Sequence, residues 1–237
     1  MTVPGTPHIV AVVPARGGSK RVPRKNLRLL GGLPLVAWSI RHAQALDAVH
    51  RCIVSTDDAD IARVARDEGA EVHDRSAALA SDTANTIDLL QQLQRDFEAA
   101  GQPADYFILL QPTCPFRDVD QLAEDLQRLV EARADMLLSV SRVKAGPAWM
   151  MTLENEQLQF AFDNDFAALR TQDQPALYRP NGSLYIFSAD CLRAAERFPW
   201  GERVLSQVLE PPYNLDIDEE IDFQIAETFA HEYLFHR

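Results

Sequence analysis

The chain has 237 residues, 46% hydrophobic and 24% charged, with 35 Asp and Glu against 23 Lys and Arg for a formal net charge of -12. That length suits one α/β domain with a large core, and the composition excludes disordered and fibrous classes. The acidic balance excludes general nucleic-acid binding, which depends on neutralising phosphates.

The organising stretch is residues 9–26, IVAVVPARGGSKRVPRKN. The β-branched run over 9–13 predicts a buried parallel strand, which Pro14 ends. Gly17 and Gly18 let backbone N–H groups turn toward an anion, and Arg16, Lys20, Arg21, Arg24, Lys25 and Arg28 supply positive charge. No acidic residue precedes Asp47, so a polyanion is the expected ligand, with a solvated basic loop or a nucleic-acid patch as the alternative. The spacing meets neither G-x-x-x-x-G-K-[ST] nor G-x-G-x-x-G.

Further along, Gly31, Gly32, Leu33 and Pro34 form a turn, with Pro34 placed to open a helix carrying Leu35, Trp38, Ile40 and Leu46. A second strand follows at 51–56, and Thr56 or Asp57 is placed to cap the helix of Ile61, Val64 and Ala65. A third strand over 71–73, a helix over 83–97, a fourth strand over 106–110, a helix from Val119 to Leu129 and a fifth strand over 135–140 continue the alternation. Regular βαβ order implies a mostly parallel sheet between helices, with ligands outside the carboxyl ends of the strands. From 143 to 177 the alternation fails, and Trp149, Met150, Met151, Phe160, Phe162 and Phe166 read as an apolar protrusion that needs cover. A strand over 182–187, a short helix over 189–197 and a last helix over 220–233 complete one domain spanning 1–237.

Near the C-terminus, Leu215-Asp216-Ile217-Asp218 places two carboxylates on one side of an extended segment. The pair suits Mg²⁺, which takes a few carboxylate oxygens and completes its shell with phosphate and water. The alternative is an acidic turn with Asp218 as helix N-cap. Cys52, Cys114 and Cys191 are too few and too scattered for a disulfide framework or a zinc site. The opening MTVPGTPH has no basic n-region, and no apolar run approaches the ~18 residues of a membrane span, so we expect a cytoplasmic protein with no membrane or nucleic-acid partner.

The segment PARGGSKRVPRKN resembles the opening signature of the sugar-acid cytidylyltransferases that include the N-acylneuraminate cytidylyltransferases. The resemblance covers nearly the whole chain and implies a three-layer Rossmann-like nucleotidyltransferase fold. It also implies transfer of CMP from CTP to a 2-keto-3-deoxy nonulosonic acid with release of pyrophosphate. In such a protein Arg16, Gly17, Gly18, Ser19, Lys20 and Lys25 wrap the triphosphate, and Asn26 meets the ribose. The segment RSAALASDTANT resembles R-x-x-x-L-A-x-D-x-A, which points Arg75 and Thr86 at cytosine, while Asp82 and Thr83 can equally cap the next helix.

By the same resemblance, Gln111 of LQPTCPFR, where Cys114 replaces the usual Ser, and Arg179 and Asn181 of YRPNGSLY face the sugar acid. Asp216 and Asp218 carry the metal, and with Arg16, Lys20 and Lys25 they form the catalytic set. The resemblance also implies that the protrusion forms a homodimer and reaches the partner's site. Its Lys144 and Arg170 are out of the usual register, which leaves N-acetylneuraminate, legionaminate and other nine-carbon acids open. The alternatives are an octulosonate-type substrate, a non-catalytic CTP sensor and a glycosyltransferase.

Overall fold

A computed structural model describes residues 7–235 apart from 20, 77–85, 145–148, 163–169, 171–172, 196–197 and 202. The first strand, β1 (Ile9–Pro14), alternates its side chains between two apolar layers. Ile9, Ala11 and Val13 face one layer, and Val10 and Val12 face the other. Every one of these five is at most 2% exposed, as a strand covered on both faces requires.

After a one-turn 3₁₀ helix at Lys25–Leu27, two short strands, β2 (Leu29–Leu30) and β3 (Leu33–Pro34), pair as a small ribbon. Helix α1 (Leu35–Gln44) follows, with Pro34 as its N-cap residue and not its first helical residue. The second strand, β4 (Val49–Thr56), starts two residues before the sequence pattern suggests. Helix α2 (Ala59–Asp67) is capped by Asp58, whose side chain accepts from the N–H groups of Asp60 and Ile61. Neither Thr56 nor Asp57 caps it, which leaves the Asp57 carboxylate available elsewhere.

Next come β5 (Glu71–Asp74), α3 (Thr86–Ala99), β6 (Tyr106–Leu109), α4 (Val119–Ala132) and β7 (Met136–Arg142). The expected start of α3 at Thr83 lies outside the described residues, as do Asp82 and Phe166. The protruding segment contains an exposed hairpin of β8 (Met151–Glu154) and β9 (Gln157–Phe160). The long β10 (Tyr178–Ser188), the short α5 (Ala189–Ala194), β11 (Val204–Val208) and α6 (Glu220–Phe235) close the chain.

The main sheet has seven strands in the order β11-β7-β10-β6-β1-β4-β5. All neighbours pair in parallel except β10, which runs antiparallel to both β6 and β7. Helices α1, α2 and α4 cover one face, while α3 and α5 cover the other. The chain winds outward from β1 through β4 to β5 and then returns to lay β6 on β1's other side. That reversal opens a crevice at the carboxyl ends of β1 and β6. The basic loop after β1 and the Gln111 turn after β6 both empty into it.

Candidate active site

The loop leaving β1 is pinned by backbone bonds and then left open. Ala15 N–H donates to Ser55 O at 2.9 Å and Gly17 N–H to Asp57 Oδ1 at 3.0 Å. A Cβ on Gly17 would lie 2.6 Å from Asp58 Oδ2, so no side chain fits there; one on Gly18 would meet nothing within 4 Å. Arg16 is exposed, and Ser19 N–H turns back to Gly17 O at 3.0 Å. Lys20 lies outside the described residues. Asn26 is buried and donates from Nδ2 to Arg16 O at 3.0 Å, which makes it a brace for the loop's own backbone.

Across the crevice, Ile217 is fully buried in a third apolar cluster with Trp38, Phe116 and Phe223. Its N–H donates to Thr113 O at 2.8 Å. With Ile217 turned inward, Asp216 and Asp218 face away from that core, as alternation along an extended segment requires. Asp218 Oδ1 lies 3.1 Å from Arg21 Nη2 and 3.6 Å from Lys25 Nζ. Lys25 is buried and also donates to Ile217 O, so one lysine joins the basic loop to the acidic pair. Asp218 is not the cap of α6. The carboxylate that accepts the N–H groups of Asp218 and Glu219, at 3.0 and 2.8 Å, belongs to Asp222.

Asp216 is reachable by solvent yet crowded by protein on its flanks. That desolvation, first among its influences, raises its carboxyl above the usual Asp value. The Thr113 hydroxyl and Lys25 oppose the rise, and the neighbouring Asp218 adds to it. A carboxylate whose charge is disfavoured by desolvation and by a neighbouring carboxylate is a donor that a hard divalent cation relieves. Among the described residues no group of three or more His, Cys, Asp or Glu could hold a metal, so an ion here would draw its other ligands from phosphate and water. The pair therefore fits Mg²⁺.

Arg75 follows β5 and points back at the basic loop. Its N–H donates to Thr56 O at 2.9 Å and its Nε to Ser55 Oγ at 3.2 Å. Burial lowers its guanidinium pKa, with Asp57 opposing and Arg16 assisting, so the three side chains share one electrostatic neighbourhood. Its Nη2 is buried and has no hydrogen-bond partner among the described residues. A desolvated donor without a partner is costly unless a ligand satisfies it. Thr86 is the first residue of α3, partly exposed, at the far end of a stretch outside the described residues.

The remaining wall comes from the turn after β6 and a bulge in β10. Between Pro180, opposite Val140, and Tyr185, opposite Leu138, β10 carries three more residues than β7. Asn181 stabilises this excursion: its Oδ1 accepts from Ser139 Oγ and from Ser183 N–H at 3.1 Å, and its Nδ2 donates to Ser141 Oγ at 3.1 Å. Gly182, at φ 82°, then passes so near Gln111 that an added Cβ would sit 3.0 Å from Gln111 Oε1. Arg179 is exposed on β10, opposite Ser141. Cys114 is fully buried, and burial pushes its thiol up to about 12, so it packs as an inert group.

The crevice thus gathers Arg16, Gly17, Gly18, Ser19, Lys25, Asp216 and Asp218, with Arg75 beside the loop and Gln111 and Gly182 on the opposite wall. Asn26 and Asn181 lie next to it with their amides engaged by the protein. One contributor is not marked as such in the sequence: Asp57 is legible there only as a capping candidate.

A family model described as cytidylyltransferase matches residues 10–230. The chain belongs to the cytidylyltransferase family. It is 34% identical over 224 residues to a CMP-N,N'-diacetyllegionaminic acid synthase of Legionella pneumophila, covering 92% of this chain and 94% of that one. It is 30% identical to N-acylneuraminate cytidylyltransferase A of Danio rerio, with 93% of this chain spanning 50% of that protein. Among solved structures, a CMP:2-keto-3-deoxy-manno-octonic acid synthetase complexed with CTP superposes with a TM-score of 0.71. That match covers 95% of this chain and 99% of the other at 17% identity, a likeness of fold. As in other cytidylyltransferases, the activity is a nucleotidyl transfer, and the three-layer α/β sheet expected from the sequence is present.

Proposed function

We propose that this cytidylyltransferase activates a nine-carbon 2-keto-3-deoxy sugar acid of the sialic or legionaminic type, joining it to CMP from CTP. The observation that carries the nucleotide half is Arg75, whose buried Nη2 stands without a partner among the described residues, beside a loop of open backbone and positive charge. Cytosine offers a carbonyl oxygen and a ring nitrogen to such a donor. The relatives named for nonulosonic acids support the sugar class.

In the reaction the anomeric hydroxyl oxygen of the sugar acid bonds to the α-phosphorus as its O–H bond breaks and the proton passes to solvent. The bond from that phosphorus to the bridging oxygen of the β-phosphate breaks, and pyrophosphate leaves. Arg16, Lys20 and Lys25 neutralise the triphosphate and the charge that grows on the leaving group. Asp216 and Asp218 would hold Mg²⁺, which supplies charge neutralisation at the phosphates. Arg21, now paired with Asp218, is free to turn to phosphate when that carboxylate is engaged. Asn26 braces the loop for the ribose, Thr86 lies toward the base, and Gln111 and Arg179 orient the sugar acid with Asn181 shaping their wall. Positioning and electrostatics carry the rate.

The hairpin of β8 and β9 supports a homodimer. Leu153 and Leu158 are 68% and 65% exposed, and Met151 and Phe160 are exposed too, an apolar surface that a second copy would cover. No described helix is long and apolar enough to cross a membrane, and a cytoplasmic location fits that.

The test is pyrophosphate release from CTP and Mg²⁺ with N-acetylneuraminate, an N,N'-diacetyllegionaminate and a 3-deoxy-octulosonate supplied separately, each repeated with excess chelator. Release with a nine-carbon acid and its loss on chelation are expected. Release with the eight-carbon acid alone would move the substrate class, and CTP binding without any release would make the protein a sensor.

A further inference from the structure

Behind the wall that carries Gln111 lies a buried arginine with no place in the chemistry above. Arg117 is 2% exposed and heads the largest fully buried side chains among the described residues. A guanidinium stays charged at any physiological pH, and burying one is costly unless its donors are satisfied. Nε donates to Ser183 O at 2.8 Å, Nη1 to Ser39 Oγ at 3.0 Å and Nη2 to Gln111 O at 2.8 Å. These acceptors belong to three separate elements: the β10 bulge, helix α1 and the turn after β6. Two of them belong to the walls that meet where Gln111 Oε1 faces Gly182.

We propose that Arg117 is a positioning residue for the sugar acid. Its planar fork ties the Gln111 turn and the Ser183 bulge to α1, so the two walls hold one spacing while Arg117 itself touches no substrate. A planar group with donors in fixed directions can span three acceptors; a lysine head, tetrahedral and on a flexible stem, cannot. The nucleotide side shares none of these bonds. Arg75 is held by Ser55 and Thr56, and the loop after β1 by Ser55 and Asp57. The acidic pair meets the same turn through the Ile217 N–H on Thr113 O but is anchored independently by Lys25 and the apolar cluster around Ile217, so loss of the clamp loosens the sugar wall more than the nucleotide side. A cavity of about 240 Å³ borders Arg117 and Ser183, lined also by Asp118, Leu122, Asp125 and Tyr213. It gives a small cation a route to the place a truncated side chain would vacate.

This inference rests on the reading that Gln111 faces the sugar acid, and the experiment separates the two. Wild-type pyrophosphate release with a nine-carbon acid is measured first; silence there overturns the functional reading and the clamp together. With an active wild type, Arg117→Ala is expected to raise the KM for the sugar acid about tenfold or more while CTP affinity stays within about twofold. Millimolar guanidinium, below denaturing concentrations, is expected to restore part of the loss. Arg117→Lys keeps the charge and is expected to show the same split, so the question stays open to measurement even where the alanine variant is too unstable to purify. An unchanged sugar KM, an equal rise for both substrates, or no recovery by guanidinium in a folded alanine variant would show a structural residue and overturn the clamp.

Discussion

Arg75, on the side of the crevice built from β1, β4 and β5, keeps a buried Nη2 without a partner among the described residues, whereas Asn181, on the β10 side, has both ends of its amide engaged by Ser139, Ser141 and Ser183. Both stand in motifs that resemble ligand-binding segments, yet one donor is left open and the other amide holds the wall in shape. The difference follows from the strands that carry them. On the parallel side, the ladder runs in register to the carboxyl ends of the strands, and Arg75 is held there by Ser55 and Thr56, with Nη2 left over. On the antiparallel side, β10 must leave register with β7 to reach the site, and the backbone so displaced needs polar partners of its own.

The sharpest way to test that contrast is at the acidic pair, which touches the basic loop through Lys25 and Arg21. Asp218→Asn is expected to lower turnover by about a thousandfold, because a neutral amide no longer answers the charge at the phosphates. The melting temperature should move by only a few degrees, since Asp218 is half-exposed and does not cap α6. Near-normal turnover would remove the metal role from this pair.

Asn181→Ala probes the opposite side. It leaves Ser139, Ser141 and the Ser183 N–H without their partner in a buried place, so a loss of about 2–4 kcal/mol in urea unfolding is expected, with CTP affinity unchanged. Unchanged stability with a large rise in sugar KM would invert the comparison and make Asn181 a direct ligand residue. The smallest effect is on the side left open. Arg75→Met should weaken CTP binding by about ten- to a hundredfold, measured by calorimetry, and leave stability equal or slightly higher because a desolvated donor without a partner among the described residues has been removed. A clear loss of stability would mean that the Ser55 and Thr56 contacts of Arg75 hold the fold.

Much of the parallel side is legible in the amino-acid sequence. The run from Ile9 to Val13 is buried on both faces because it is almost entirely β-branched, and the glycines and cations after Pro14 follow at once in the chain, so strand, turn and charge read as one local pattern. The Asp-x-Asp pair is legible for the same reason: a period of two puts Ile217 inward and the two carboxylates outward. The capping assignments are not, because Asp57 and Asp58 are adjacent and chemically alike. Only the position of Gly17 decides that Asp57 receives the loop while Asp58 caps α2.

The sequence by itself determined the βαβ alternation, the charged loop, the paired carboxylates and the irregular apolar segment, since each depends on residues close together along the chain. Only the tertiary structure decided that Lys25 bridges to residues 217 and 218, that Asn181 serves the β10 bulge, and that Arg117 is buried between three elements. Each of those roles needs at least one partner distant along the chain, 192 positions away for Lys25, 78 for Arg117 and 40 for Asn181. Hydrogen-bond satisfaction in a buried place depends on what the fold brings there, and no spacing within a motif encodes it.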